Sequence, residues 1–275
     1  MSLDFESLPL KEIRRGRELR WDPHAIELAQ DIEDWKSMSD IEREMLLGQV
    51  FGFLVGERAV THDLAPLQQA LREERGHMDE EMYITQQLFE ETTHVEFFQR
   101  WMYEVLPGTL GKEIPYPRGE RAALIWEILP EAMNRLKDDK SPTAQMKAVV
   151  VYHQIVEGVS AEVGYQIFYD SLDERGICPG LRAGIRNIQI DESRHIAFGT
   201  YMAQRLIRDY PELKQVFLDE MDRMLPVSVE SAGKLFEYYG DEVPFGLSQE
   251  KYESMSRDLH KRRVEAVLTG GLVAV

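Results

Sequence analysis

The sequence contains only one cysteine, Cys178, among its 275 residues. A single cysteine excludes an intramolecular disulfide and is typical of a protein kept in a reducing compartment. Long apolar runs are also missing, because the most apolar stretch, 45–55, falls well short of the roughly 20 residues that a membrane-spanning helix needs. Glu6 and Lys11 interrupt any signal-peptide pattern near the N-terminus. We therefore expect a cytoplasmic protein without a transmembrane segment.

Basic residues are scarce relative to acidic ones. The chain has 32 Lys and Arg against 49 Asp and Glu, which gives a formal net charge of −17. This charge argues against binding to nucleic acid or to an anionic membrane surface. The one basic cluster lies near the N-terminus and consists of Arg14, Arg15, Arg17 and Arg20. We interpret this cluster as a solvated part of the lead-in to the fold.

Strand-like alternation of apolar and polar residues is absent over any useful length, whereas apolar residues recur with helical spacing. The sequence therefore predicts an all-α protein. Ser39 and Glu42 form a capping-box pattern at the start of the first long helix. The predicted helices are 39 to about 65, 78–106, 121–137, 141–170, 179–210, shorter helices within 213–239, and 248–268.

One domain is expected over 1–275, with a metal-binding bundle over 39–210 and C-terminal helices over 211–275, because the candidate metal ligands described below lie on both sides of the segment 107–119. Residues 1–38 are expected to be an irregular lead-in with one short helix, broken by Pro9, Gly16 and Pro23. The segment 107–119 is rich in proline and glycine and is expected to be a loop.

Two copies of a Glu-x-x-His motif lie within the predicted long helices. They are Glu91 with His94, and Glu192 with His195. A Glu and a His three residues apart lie on the same helix face, so both side chains can reach one point. Carboxylate oxygens and imidazole nitrogens suit iron, manganese or zinc. Each motif is thus a candidate half of a metal site.

Each motif has a glutamate partner at similar spacing. Glu57 precedes Glu91 by 34 residues, and Glu157 precedes Glu192 by 35. Such separations fit antiparallel helices joined by a short turn, with both glutamates at the same depth. Both lone glutamates lie in apolar surroundings, where a carboxylate is costly unless paired or metal-bound. The set predicts a pseudo-duplicated four-helix bundle with a dinuclear metal site, although ordinary buried ion pairs remain the alternative.

A third Glu-x-x-His match, Glu74 with His77, shows that the motif alone is weak evidence for a metal site. Gly76 lies inside it at a predicted helix start, so the rigid turn that the geometry needs is missing. We interpret Glu74 and His77 as surface residues at a helix junction.

The residues around these motifs resemble the ribonucleotide reductase small subunits. They are most similar to the small-subunit-like ligand-binding oxidases with a manganese/iron cofactor. The resemblance extends from about residue 21 to 210. It rests on the segments 56–61, 81–86, 89–91, 152–158 and 191–195.

This resemblance implies a ferritin-like bundle with flanking helices. It implies a heterodinuclear manganese/iron centre, with di-iron as the alternative. The matching ligand positions are Glu57, Glu91, His94, Glu157, Glu192 and His195. It also implies an oxidoreductase that uses dioxygen, binds a long-chain fatty acid in an apolar tunnel and forms a homodimer.

The ligand-binding oxidases carry a tyrosine–valine ether crosslink beside the metals. The matching residues are Val60, one turn after Glu57, and Tyr152, five residues before Glu157. Five residues turn an ideal helix past one stripe, so Tyr152 needs its long side chain or a local π-bulge to lean towards the metals. Core packing is the alternative role for both residues. Candidate tunnel walls are Phe53, Phe98 and Phe198.

Two rival functions remain open at this point. One is the radical-generating small subunit of ribonucleotide reductase, whose tyrosine position is occupied here by Phe98. The other is a non-catalytic ferritin-like protein that stores iron or carries lipid. Asp191, directly before Glu192, is either a residue that orients a ligand histidine or a helix-surface acid.

Overall fold

A computed structural model describes residues 3–74, 76–106, 123–237, 239–240 and 242–270. The described residues are mostly helical and contain no β-strand, which confirms the all-α prediction. The predicted loop 107–119 and the end of the C-terminal tail lie outside the described residues. None of the described helices combines the length and apolar character that crossing a membrane would require.

Ten helices are found within the described residues. They are α1 (Leu8–Glu18), α2 (Ala29–Ser37), α3 (Asp40–Asp63), α4 (Ala65–Glu74), α5 (Met78–Val105), α6 (Leu124–Ile128 and Leu129–Arg135), α7 (Pro142–Val149, Val150–Ala161 and Glu162–Leu172), α8 (Pro179–Asp209), α9 (Leu213–Glu237) and α10 (Gln249–Thr269). The first parts of α6 and the middle part of α7 are π-helical. Short 3₁₀ turns cover Pro23–Ala25 and Pro244–Gly246.

Four long helices, α3, α5, α7 and α8, pack together as a bundle. Helix α3 lies against α5, and α7 lies against α8. Helix α3 starts at the predicted capping box, in which the backbone nitrogen of Ser39 donates to Glu42 Oε2 at 2.8 Å. Helices α9 and α10 pack against each other and against the π-helical part of α7. The bundle is therefore covered on one side by the C-terminal helices.

The lead-in contains two helices, α1 and α2, and the prediction of one short helix was wrong. Gly16 lies within α1 and does not break it. A Cβ at this position would lie 2.5 Å from Gln86 Nε2 and 2.7 Å from Glu90 Oε1. The glycine is thus used for close approach of α1 to α5, and packing between the two helices outweighs the low helix propensity of glycine.

The region 213–239 also differs from its prediction. One long helix, α9, replaces the expected shorter helices, although Pro226 lies inside it. An interior proline costs roughly 3 kcal/mol because it removes a hydrogen bond. The buried side chains of Phe217, Met221 and Met224 hold the helix against the core. This burial compensates for the proline.

Candidate metal centre

The four bundle helices bring all six predicted ligand residues into one buried cluster. Helix α3 supplies Glu57, α5 supplies Glu91 and His94, α7 supplies Glu157, and α8 supplies Glu192 and His195. Two overlapping groups of side chains could each hold a metal ion, with ligand atoms within 4.8 Å of one another. The first group is Glu57, Glu91, His94 and Glu192. The second is Glu91, Glu157, Glu192 and His195.

Glu91 and Glu192 belong to both groups and therefore lie between the two positions. The Nδ1 atom of His94 lies 3.5 Å from a Glu91 oxygen and 3.4 Å from a Glu192 oxygen. The Nδ1 atom of His195 lies 3.3 Å and 3.6 Å from the same two residues. The two imidazole centroids are 6.1 Å apart. Each imidazole thus faces the carboxylates through Nδ1, which leaves Nε2 to other partners.

The remaining glutamates complete one group each. Glu57 Oε2 lies 3.3 Å from His94 Nδ1, and Glu157 Oε1 lies 3.6 Å from His195 Nδ1. Several buried atoms of the cluster have no hydrogen-bond partner among the described residues, namely Glu91 Oε2, Glu157 Oε2, Glu192 Oε2 and His195 Nδ1. Unpartnered buried carboxylate oxygens are costly unless a cation binds them. The donor set therefore fits two divalent metal ions of the manganese or iron type.

The pKa values of the cluster acids also favour the binding of cations. Burial raises the pKa of Glu57 to about 8, and the pKa of Glu157 rises well above its usual range through burial and the nearby Glu192. Although burial opposes it, the field of His195 and His94 holds the pKa of Glu91 well below its usual range. The acids crowd together and compete for protons with the two imidazoles. Bound cations would relieve this repulsion.

Two acids outside the ligand set hold the imidazoles through their Nε2 atoms. Asp191 Oδ2 lies 3.2 Å from His94 Nε2, and Glu90 Oε2 lies 2.9 Å from His195 Nε2. Arg194 joins the two acids, because its Nη2 donates to Glu90 at 2.6 Å and to Asp191 at 2.5 Å. Carboxylates in this position fix the orientation and tautomer of a ligand histidine.

Asp191 thus contacts the imidazole of His94, and the helix-surface alternative is wrong because its side chain is buried. Trp21 also donates to Asp191 Oδ2 at 2.8 Å, which ties the lead-in to the centre. Glu90 and Arg194 were missed in the sequence. The sequence did indicate acids close to the two motifs, since Glu90 directly precedes Glu91 and Asp191 directly precedes Glu192. The crossed pairing, in which each acid serves the other motif's histidine, needs the tertiary structure.

Tyr152 reaches the centre through a π-helical segment. The middle of α7, Val150–Ala161, is π-helical and contains both Tyr152 and Glu157. The Tyr152 hydroxyl donates to Glu91 Oε1 at 3.1 Å. The wider turn of a π-helix brings residues five apart closer to one stripe. The π geometry that Tyr152 needed is thus present in the structure.

A pocket extends from the cluster between α3, α6, α7 and α9. It contains about 820 Å³ of space between atoms, part of it open to solvent. Val60 and three of the cluster acids, Glu57, Glu157 and Glu192, line it. Other lining residues are mainly apolar and include Phe53, Leu124, Ile125, Val156, Val163 and Ile167.

Of the three candidate tunnel walls, only Phe53 lines this pocket. Phe98 is fully buried behind it, with its ring centroid 5.6 Å from that of Phe53. Phe198 stacks on Tyr83 at 4.2 Å, away from the pocket lining.

The third motif lies outside the cluster, as predicted, but its residues are not simply on the surface. Glu74 accepts a hydrogen bond from the buried Arg205 at 2.8 Å, and His77 lies 3.3 Å from the fully buried Glu80. Within the described parts of the chain, neither Glu74 nor His77 belongs to a group that could hold a metal. The motif instead forms part of an ion-pair network that ties the α4–α5 junction to α8.

Glu162 is a buried acid near the centre that provides a test of the electrostatics. Burial raises its pKa from 4.5 to about 7, against the opposing charge of Arg263. A raised carboxyl pKa means that the folded state binds more protons, so stability falls as pH rises from about 4.5 through 7. At about 1.4 kcal/mol per pH unit, the loss amounts to about 3 kcal/mol.

Glu162→Gln removes this titration. We therefore expect the free energy of unfolding of the variant, relative to that of the original protein, to increase as the pH rises from 4.5 to 7.5. Urea unfolding of both metal-free proteins at the two pH values measures the difference. A difference that stays constant across this range would contradict the buried-acid assignment.

Comparison with known proteins extends this picture to the whole chain. The family model of the ribonucleotide reductase small chain matches residues 11–254. The R2-like ligand-binding oxidase with aerobically reconstituted Mn/Fe cofactor is a similar solved structure, with 30% sequence identity and a TM-score of 0.90. The alignment covers 96% of this chain and 94% of that chain.

Two mutants of that oxidase, also with an aerobically reconstituted Mn/Fe cofactor, match similarly. A tyrosine-to-phenylalanine mutant has 30% identity and a TM-score of 0.91, with 96% of this chain and 95% of that chain covered. A glycine-to-phenylalanine mutant has 30% identity and a TM-score of 0.91, with 97% and 99% covered. The bundle is therefore ferritin-like, and the chain belongs to the ribonucleotide reductase small-chain family, in which it is similar to R2-like ligand-binding oxidases.

Proposed function

We propose that this protein is a dioxygen-dependent oxidase with a manganese/iron centre and a bound hydrophobic ligand. The observation that carries this proposal is the pocket, because three acids of the metal cluster form part of its wall. A ligand in the pocket would thus lie beside the metals. The similar solved structures carry a Mn/Fe cofactor and are described as ligand-binding oxidases, which supports the same function.

The residues that would hold the metals are Glu57, Glu91, His94, Glu157, Glu192 and His195. Two such metals supply the redox chemistry that activates dioxygen. Asp191 and Glu90 keep the imidazoles aligned, and Arg194 holds these two acids in place.

The ligand class follows from the chemistry of the pocket wall. The lining residues in the described part of the chain include no Lys, Arg or His. An anionic head group would therefore find its countercharge at the metals, while an aliphatic tail fills the apolar part. A long-chain fatty acid has this combination. Without bound metals, the cluster acids would repel the same carboxylate.

The internal reaction that we propose is an ether bond between Tyr152 and Val60. Tyr152 already contacts Glu91, and Val60 is buried and lines the pocket beside Glu57. The phenolic O–H bond and the Cβ–H bond of Val60 break, and an O–Cβ bond forms. Two electrons and two protons pass to dioxygen, which is reduced to hydrogen peroxide.

Mass spectrometry tests this proposal directly. Protein loaded with iron and manganese is analysed before and after exposure to dioxygen, intact and as peptides. We expect the mass to fall by two hydrogens and the peptides containing Val60 and Tyr152 to become linked. Tyr152→Phe should abolish the linkage because the phenolic oxygen is missing.

Tyr83→Phe is the matched control, because Tyr83 is equally buried on α5. Its ring stacks on Phe198, and its hydroxyl has no described hydrogen-bond partner. This variant should form the linkage as the original protein does. An unchanged mass in fully metallated and oxidised protein would contradict the crosslink proposal and favour the radical-subunit or storage functions.

Phe98 favours the oxidase over a tyrosyl-radical subunit, but it does not separate the oxidase from the manganese/iron small subunits that also have phenylalanine there. It occupies the position where the radical-carrying relatives have tyrosine, and its buried ring has no hydroxyl to oxidise. A cytoplasmic location is proposed on the basis of the single, buried and free Cys178. Formation of a homodimer stays a prediction.

A further inference from the structure

A buried arginine on the C-terminal helix contacts the π-helical segment beside the metal centre. Arg263 lies on α10 and is only 2% exposed. Its Nε donates to the carbonyl oxygen of Gly158 at 3.0 Å. Gly158 directly follows Glu157, the α7 residue of the cluster. The guanidinium is therefore joined to the main chain one residue from a metal-cluster acid.

Gly158 allows this close approach. A Cβ at this position would lie 3.0 Å from Arg263 Nε and 3.2 Å from Arg263 Cδ, as well as 2.9 Å from the carbonyl oxygen of His153. Any side chain here would push the guanidinium away from the backbone or disturb the π-helical turn. The glycine and the arginine thus form one packing unit at the middle of the segment that also carries Tyr152.

The charge of Arg263 has an incomplete set of partners. Its Nη1 makes no hydrogen bond to a described residue, and Glu162 is the acid that attracts it. Among the described residues, Gln189 Nε2 donates a hydrogen bond to Glu162 at 3.3 Å. Burying an arginine without a tightly paired carboxylate lowers the free energy of unfolding. Stability alone therefore does not explain its presence here. Its main directed contact is with the main-chain carbonyl of the π-helical segment.

We propose that Arg263 is a positioning residue that holds the π-helical segment Val150–Ala161 in the register that presents Glu157 and Tyr152 to the metal centre. This inference rests on the proposed function in so far as Glu157 is a metal ligand. The C-terminal helix α10 supplies no residue to the cluster. Through Arg263 it nevertheless has a direct role in the geometry of one of the two metal positions.

The test compares Arg263→Gln with Arg205→Gln. Arg205 is a matched control because it is 1% exposed and pairs with Glu74 and Glu80 on the side of the α4–α5 junction. Two measurements are made on each full-length protein. Amide hydrogen exchange of peptides covering 150–161 is followed in the metal-free protein, and ferrous and manganous ions are titrated into each variant.

For Arg263→Gln we expect faster exchange in 150–161 but not in 78–105. We also expect up to about 10-fold weaker binding at the metal position that contains Glu157, the lower end of the effect of losing a direct partner of a ligand, because Arg263 contacts the adjacent residue and not Glu157 itself. Arg263→Lys keeps a donor and a charge. It should restore part of the slow exchange in 150–161 and part of the metal affinity. Arg205→Gln should lower stability and leave both measurements close to those of the original protein.

Unchanged exchange in 150–161 together with unchanged metal affinity in Arg263→Gln would overturn the proposal. If Arg263→Gln does not fold, Arg263→Met provides the same test, because it removes the donor to the Gly158 carbonyl without leaving a polar group buried in its place. The hydrogen-exchange result does not depend on metal binding. Failure of the original protein to bind two metals would therefore contradict the proposed function while the positioning role could still be measured.

Discussion

Replacing Glu91 with glutamine is expected to reduce the metal content from two ions per chain to at most one. Glu91 belongs to both groups of potential ligands, so its loss weakens both positions at once. An amide carries no charge and is a much poorer ligand for manganese or iron than a carboxylate. Elemental analysis after loading with both metals and removal of loosely bound ions measures this content.

The fold of this variant should survive. Glutamine keeps the size of glutamate, and its amide oxygen can still accept the Tyr152 hydroxyl. Because His94 and His195 hold Glu91 in its ionised form, loss of the charge should lower the free energy of unfolding. The metal-free variant should thus unfold at a lower denaturant concentration than the metal-free original protein, but still in one cooperative transition. This result would separate loss of a ligand from loss of structure.

Glu74→Gln is the matched control, since Glu74 belongs to the third Glu-x-x-His match. We expect it to keep two metals per chain but to lose stability, because the buried Arg205 loses a carboxylate partner. Breaking a buried pair by removing one partner costs up to about 3–5 kcal/mol. Two tightly bound metals in Glu91→Gln would show that Glu91 is not shared between the positions.

Gly164→Ala is expected to displace the hydrophobic ligand that we propose for the pocket. A Cβ at Gly164 would lie 2.5 Å from Phe53 Cζ and 2.6 Å from Cε2, so the ring of Phe53 must move. The ring centroid is already 5.0 Å from that of Tyr165 and 5.3 Å from that of Phe168. With aromatic rings on these sides, the open pocket is the space into which the Phe53 ring can move.

We expect the amount of co-purifying lipid to fall at least about tenfold, which corresponds to about 1.4 kcal/mol of binding free energy. Overpacking should also lower the free energy of unfolding by about 1–3 kcal/mol. Solvent extraction followed by mass spectrometry measures the lipid, and urea unfolding measures the stability.

Gly184→Ala separates these two effects. A Cβ at Gly184 would overlap the ring of Phe97, which belongs to the core and does not line the pocket. This variant should lose stability while retaining its lipid. Equal lipid content in Gly164→Ala and Gly184→Ala would show that Phe53 does not limit the space available to the ligand.

Much of the metal cluster could be predicted from local sequence because a helix repeats regularly. A three-residue spacing places Glu91 and His94, or Glu192 and His195, on one face regardless of the rest of the fold. The similar spacing to Glu57 and Glu157 then predicted a bundle of paired helices. The third match shows the limit of this reasoning, since Glu74 and His77 have the same spacing and a different environment.

Other features depend on contacts between distant segments. The π-helical turn that brings Tyr152 towards Glu91 cannot be read from periodicity, because a regular helix is the default for the same residues. Gly16 looked like a helix breaker, yet it is the point at which α1 approaches α5. Shorter helices were predicted within 213–239, whereas core packing holds α9 intact across Pro226.

The sequence by itself determined the all-α fold and the buried set of four carboxylates and two imidazoles. Both follow from residue type and helical period. The tertiary structure alone decided that Glu90 holds His195, that Asp191 holds His94, and that Arg263 reaches the backbone beside Glu157. It also decided that a pocket opens on the cluster. These features join helices far apart in the chain, and their distances depend on how whole helices pack rather than on any local pattern.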